Sequence, residues 1–199
     1  MVQGIGVRCS RSTQRDRQSQ RRIADRGAAL LEFALIAPLF FLVVFGGIEV
    51  GLMFRSHLAL EDMTRSGARI ASVERTNEDA DLEILSFISS RSTPLNGDVT
   101  RVVIFSTPTL TDGISEACKT SGSSRSNECN VYMVGAGGVQ AIVEDLEAGR
   151  APEQGLTRTE RDEWSNLGVY IEYDYSYVTG FFDSLTLTSS TVEVVELNL

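Results

Sequence analysis

Arg26-Gly27-Ala28-Ala29-Leu30-Leu31-Glu32-Phe33 runs directly into an apolar stretch that carries no further charge until Glu49. A basic leader ends at a glycine, and the fifth residue after that glycine is a carboxylate that opens a hydrophobic helix. A charge there costs insertion energy, about 2.5–3.5 kcal/mol at the centre of a membrane helix and less near a boundary. The sixteen residues from Phe33 to Ile48 are uncharged, and the flanked segment 28–54 is interrupted only by Glu32 and Glu49. At about 1.5 Å per residue that segment is long enough to cross a hydrocarbon core of about 30 Å. The two glutamates lie about 26 Å apart along a helix, so they bracket the apolar core rather than sit at its midplane.

Charge is distributed unevenly around this segment. Residues 1–27 hold seven arginines (Arg8, Arg11, Arg15, Arg17, Arg21, Arg22 and Arg26) against Asp16 and Asp25, a balance of +5 within a chain whose net charge is −9. Directly before a membrane-length segment, the basic arm reads as a cytoplasmic retention signal. The acidic remainder argues against nucleic acid as a partner and for a solvated surface beyond the membrane. A secretory signal peptide is the plainer alternative. Its apolar core is shorter, about 7–15 residues, and ends at a small-x-small site. Here Ala34-Leu35-Ile36-Ala37 falls too early, inside the run.

The expected organisation is a cytoplasmic basic leader (1–27) without order, a transmembrane helix (28–54), a helical extension (55–75) and an extracytoplasmic head (76–199). The helix is expected to run from about Ala28 to Arg75, about 70 Å, and to tolerate Pro38 as membrane helices do. Gly47-Ile48-Glu49-Val50-Gly51 has the small-x-x-x-small spacing that lets helices approach closely. In the extension, Leu58, Met63, Ile70 and Val73 are read as the inward stripe, with Ala59, Gly67 and Ala71 alongside. A second helix is expected after Thr76-Asn77-Glu78-Asp79, turning Leu82, Leu85 and Ile88 inward. Strands are expected at Val99–Phe105 and Asn130–Val134. Val169, Ile171, Tyr173, Tyr175 and Tyr177 alternate with polar neighbours, Gly180 breaks the run, and alternation resumes from Leu185 to Leu197, so the two segments form an antiparallel hairpin. Trp164 is read as a cap on the edge of the core. The fold class is α+β: a long N-terminal transmembrane helix extending into a stalk, packed on a small antiparallel sheet.

Cys9 lies in the leader and is expected to stay reduced. Cys118 and Cys129 flank a Gly/Ser/Asn-rich loop outside the membrane, where an oxidising compartment favours a bridge. Closing that loop contributes somewhat under about 3 kcal/mol in the chain-entropy account. A metal site needs three or four ligands, and the one histidine, His57, lies beside the membrane, so no metal and no cofactor are expected. Gly135-Ala136-Gly137-Gly138 is read as a flexible loop and not a phosphate cradle, because neither a strand–loop–helix unit nor a following Lys-Ser/Thr supports it. No catalytic constellation is visible, and the chain is not read as an enzyme.

Gly27 and Glu32 carry the remaining chemistry. A plain anchor has no use for Glu32, whereas a subunit cut between Gly27 and Ala28 and packed helix to helix into a filament does. Cleavage frees an α-amino group, and Glu32 of one subunit meets the Ala28 amine of its neighbour, since charges in low dielectric need partners. The run Arg26-Gly27, Ala28-Ala29-Leu30-Leu31-Glu32-Phe33-Ala34, Pro38, and Phe45-Gly46-Gly47-Ile48-Glu49-Val50-Gly51 resembles the TadE-like family, minor pilins (pseudopilins) of tight-adherence, Flp-type pilus systems. The resemblance continues through Ala59-Leu60-Glu61-Asp62-Met63-Thr64-Arg65-Ser66-Gly67-Ala68-Arg69, and Leu185-Thr186-Leu187-Thr188-Ser189-Ser190 looks like a weaker tail signature. It implies a pilin-like head, processing by a prepilin peptidase after Gly27, and partnership with other pilins and the assembly and secretion machinery of an adhesive type IV-like pilus. The implied location is the inner membrane, single-pass, with the N-terminus cytoplasmic. An uncleaved, signal-anchored extracytoplasmic binding module is the alternative.

Overall fold

The computed structural model describes residues 12–74, 77, 79–125, 128–149, 166–180 and 183–194, with side chains from residue 30 onward. Trp164, Cys9 and Arg75 lie outside the described residues. The chain divides into two compact units, Met1–Ile48 and Glu49–Leu199. The element order is α1 (Ser12–Val73), α2 (Ala80–Ser92), β1 (Gly97–Ser106), α3 (Glu116–Thr120), β2 (Cys129–Met133), α4 (Gly138–Glu147), β3 (Asn166–Tyr175) and β4 (Leu185–Val194).

Helical backbone begins at Ser12, well before the expected start at Ala28. Helix propagation explains the difference: once the apolar segment is helical, each added residue gains a hydrogen bond without a new nucleus, and the Arg/Gln-rich leader is made of good helix formers. Pro38 lies inside α1 without ending it.

In the second unit a four-stranded antiparallel sheet has the order β2-β1-β3-β4. The β3–β4 hairpin has the expected in-register alternation, with Tyr173 opposite Leu187, Ile171 opposite Ser189 and Val169 opposite Thr191. One face of the sheet carries Val102, Ile104, Tyr132, Leu167, Val169, Ile171, Tyr173 and Tyr175, packed with buried residues of α1, α2 and α4. The other face is smaller: Val103, Phe105, Val131 and Tyr170 lie under Ile114 and the two half-cystines. β1 is apolar on both faces, which is why its sequence reads as a continuous run and not an alternation. Gly97 opens it at φ +147°, where a Cβ would strike the Asp174 carbonyl oxygen, so only glycine fits this close approach of two strands.

The inward stripe of α1 differs from the expected one. Ser56, Leu60, Met63, Thr64, Gly67, Ala68 and Ala71 are buried, whereas Leu58 is 49% and Val73 70% exposed. Side-chain size decides this. Small residues spaced three and four apart let the helix lie close on the sheet, and a Cβ at Gly67 would meet the Val169 methyls at 3.5 Å. The larger Leu58 and Val73 point away. Thr64 Oγ1 and Ser189 Oγ lie 2.9 Å apart, and Thr191 Oγ1 donates to Thr64 Oγ1 at 3.3 Å. A hydroxyl trio therefore joins α1 to β4 where the hydrophobic pattern shows nothing.

Two further polar contacts tie the elements together. Asp81, in the first turn of α2 and 1% exposed, accepts from Asn130 Nδ2 at 2.7 Å and from the Tyr132 hydroxyl at 2.6 Å. Asn166, at the start of β3, donates to the carbonyls of Thr107 and Pro108 at 3.2 and 3.1 Å, holding the chain where it leaves β1. A buried carboxylate or amide is stable only when so satisfied.

Candidate membrane and assembly segment

Each residue of the apolar segment is helical, and from Leu30 on almost none of its side chains finds a partner among the described residues. Leu30, Leu31, Phe33, Leu35, Ile36, Leu39, Phe40, Leu42 and Val43 are between 59% and 72% exposed. The helix is long and apolar enough to cross a membrane within Leu30–Val73, and little of its apolar window is buried among the described residues, unlike a core helix. Leaving so many large apolar side chains in water would forfeit about 1.5–3 kcal/mol each. Lipid or other helices remove that penalty. Phe40, Phe41 and Phe45 pack along the helix, with ring centroids 5.6 and 5.9 Å apart.

Gly27 and Ala28 sit within the helical backbone, and their side chains lie outside the described set. Glu32 is exposed on the apolar helix. Gly46, Gly47 and Gly51 have nothing within 4 Å of the position a Cβ would take, so their smallness serves no contact among the described residues. An external helix fits such a surface, although glycine is frequent in membrane helices on any account.

Glu49, expected at the end of the apolar core near a headgroup boundary, has a partner that its sequence reading did not name, and it is 3% exposed. Its carboxylate accepts the backbone N–H of Val178 at 2.7 Å and that of Thr179 at 3.3 Å, in the loop between β3 and β4. These contacts join residues 129 and 130 positions apart in sequence. The only local signal is a lone carboxylate in an apolar helix, which looks the same whether its partner is solvent, lipid or a distant loop.

Cys118 and Cys129 are bonded to one another, and both are buried. Ser115 caps α3 by accepting from the Cys118 N–H at 3.3 Å, which places Cys118 on the inner side of that short helix. His57 lies 3.3 Å from Glu61, one helical turn on. Among the described residues no group of three or more His, Cys, Asp or Glu is placed to hold a metal.

The glycine loop corrects one expectation. β2, the loop at Gly135–Gly137 and α4 do form a strand–loop–helix unit, and Gly138 takes φ +67° at the helix start. The adjoining cavity, about 280 Å³, is lined by Ser89, Asp98, Gly137, Gly138 and Gln140 among others, and its one charged residue is the Asp98 carboxylate. That charge disfavours an anion, and no Lys-Ser/Thr follows the loop, so the connectivity alone does not make a phosphate cradle.

No curated protein and no solved structure matches this chain. The family model described as TadE-like protein matches residues 27–69, which covers the glycine, Glu32, the apolar helix and Glu49; the tail Leu185–Ser190 lies outside it. Within that segment the chain is similar to TadE-like proteins, and the same segment holds a candidate membrane span near the N-terminus.

Proposed function

We propose that this protein is a membrane-anchored minor pilin (pseudopilin) of a tight-adherence pilus assembly system, cut by a prepilin peptidase after Gly27. The observation that carries this reading is a combination within the matched segment. Gly27 opens it, the Glu32 carboxylate follows five residues later, and the helix behind them presents an apolar surface with no partner among the described residues. Cleavage leaves an α-amino group at Ala28, one turn from Glu32. In a bundle of such helices the amine of one subunit neutralises Glu32 of the next and sets axial register. Positive charge retains residues 1–27 in the cytoplasm, so the head stands on the outer side of the inner membrane. The role is structural, not enzymatic. Its partners are the membrane, the peptidase, other pilins and the assembly machinery.

Mass spectrometry of the membrane-extracted protein tests the reading: the mature chain begins at Ala28. An N-terminus that retains the arginine leader refutes it. That result favours the uncut, signal-anchored binding module. Glu32→Ala is expected to abolish co-purification with other pilins while leaving cleavage intact, and unchanged co-purification would remove the register role.

A further inference from the structure

The loop between β3 and β4 is held by the first residue after the apolar unit. Glu49 directly follows Ile48, the last residue of that unit. Connectivity alone therefore puts the backbone of Val178 and Thr179, at 2.7 and 3.3 Å from its carboxylate, at the level where the apolar run ends. The loop is built for such a level. From Tyr175 to Gly180 it carries no charge. Val178 is 62% exposed, and the ring of Tyr177 meets that of Tyr175 edge-on at 5.3 Å. Gly180, at φ +67°, turns the chain back. On α1 the neighbouring Val50 and Phe54 are 60% and 57% exposed, and Arg55 beside them is an exposed cation that suits lipid phosphates.

We propose that the Tyr177–Gly180 loop, with Val50, Phe54 and Arg55, is a second membrane contact that rests in the headgroup layer of the bilayer its own helix enters. Tyrosine favours that layer because its ring is apolar and its hydroxyl wet. Glu49 makes the contact possible. A lone carboxylate at the boundary is costly, and satisfying it with two loop N–H groups removes that cost while fixing the loop at the membrane end of the head. The inference requires α1 to span the membrane but does not require Gly27 to be cut.

The test uses the full chain with Cys9→Ser, carrying one fluorescent NBD label at Val178→Cys, Phe40→Cys or Asp112→Cys, in phosphatidylethanolamine–phosphatidylglycerol vesicles. The label at 178 is expected to emit further to the blue than that at 112. It should be quenched by lipids bearing a nitroxide near the headgroup and be several-fold less accessible to iodide. Water-like emission at 178, with iodide access equal to that at 112, overturns the proposal. Shielding without nitroxide quenching that disappears on dilution assigns the surface to a protein partner and also overturns it. The label at 40 reports insertion separately: if chain-deep nitroxides do not quench it, the membrane span itself is refuted. Glu49→Ala should raise iodide access at 178, and no change would remove the clamp.

Discussion

Tyr132→Phe deletes a single hydroxyl from the centre of the head and leaves the ring that packs there. The lost O–H donates to Asp81 Oδ2 at 2.6 Å, between side chains of residues 2% and 1% exposed, so water has no ready access to replace it. A hydrogen bond to a charged group contributes about 1.5–3 kcal/mol, and the short distance argues for the upper half of that range. Asp81→Ala takes the acceptor from Tyr132 and also from Asn130 Nδ2, at 2.7 Å. Each buried donor deprived of it costs about 1–3 kcal/mol, so the loss is about 2–6 kcal/mol against a domain stability of about 5–15 kcal/mol. The two changes share one bond, so the double variant should be milder than the sum of the singles by about 1–2 kcal/mol. Urea unfolding of the full chain in detergent micelles, followed by the β-sheet circular dichroism signal, measures all four proteins. A Tyr132→Phe variant within about 0.5 kcal/mol of the parent, or strictly additive costs, would show that Asp81 does not clamp α2 to β2.

Two glycines on β3 and α1 should respond to alanine with opposite signs. At Gly168 a new Cβ would come within 2.8 Å of three Phe105 ring carbons, an overpacking cost of about 1–3 kcal/mol, whereas at Gly67 it meets Val169 and Ile84 methyls at 3.5 and 3.6 Å and relieves a helix-interior glycine worth up to about 1 kcal/mol. Melting temperatures that fall for Gly67→Ala as far as for Gly168→Ala would contradict this packing. Cys118→Ser paired with Cys129→Ser is expected to cost somewhat under about 3 kcal/mol, read from the urea midpoint, with the apolar cluster around Phe105 loosened first in hydrogen exchange.

Alkaline pH should destabilise the head. Burial, reinforced by Asp98 and opposed by the Ser56 hydroxyl, pushes Tyr173 up to about 12, and burial also raises Tyr170 and Tyr175 above the usual phenol value of 10.0. A tyrosine whose folded value is raised keeps its full contribution below the unfolded value and loses it as pH climbs through the folded one. Stability should therefore fall between about pH 10 and pH 12, with a shallower fall in Tyr173→Phe. Parallel pH profiles for parent and variant would refute the assignment.

Period-based features were legible in the sequence because one face of each pattern is buried. The β3–β4 alternation predicts its own pairing, since a slip of one residue would turn Val169, Ile171, Tyr173 and Tyr175 outward. The apolar run at residues 33–48 announces a membrane-length helix by composition alone, and the cysteine pair flanking a Gly/Ser/Asn-rich loop predicts its bond. The buried stripe of α1 was misread toward the large Leu58 and Val73. Hydrophobicity ranks side chains by size, whereas close packing of a helix on a sheet selects Ala68 and Ala71, both fully buried, for their lack of it. Helix α4 follows four residues that read as a loop, and only the fold shows that Val139 and Val143 anchor it in the core.

By itself the sequence determined the charge asymmetry, the apolar helix, the Gly27–Glu32 spacing and the β-hairpin, because each depends on residues near one another in the chain. Tertiary structure alone decided what the isolated polar groups do. Glu32 and Glu49 look alike as single carboxylates at the two ends of an apolar run, yet Glu32 stays exposed while Glu49 is buried on the N–H groups of Val178 and Thr179. Asp81 and Thr64 likewise found partners far along the chain, on β2 and β4. A buried polar group must be satisfied, but it carries no periodicity that points to its partner, so only the folded chain names it.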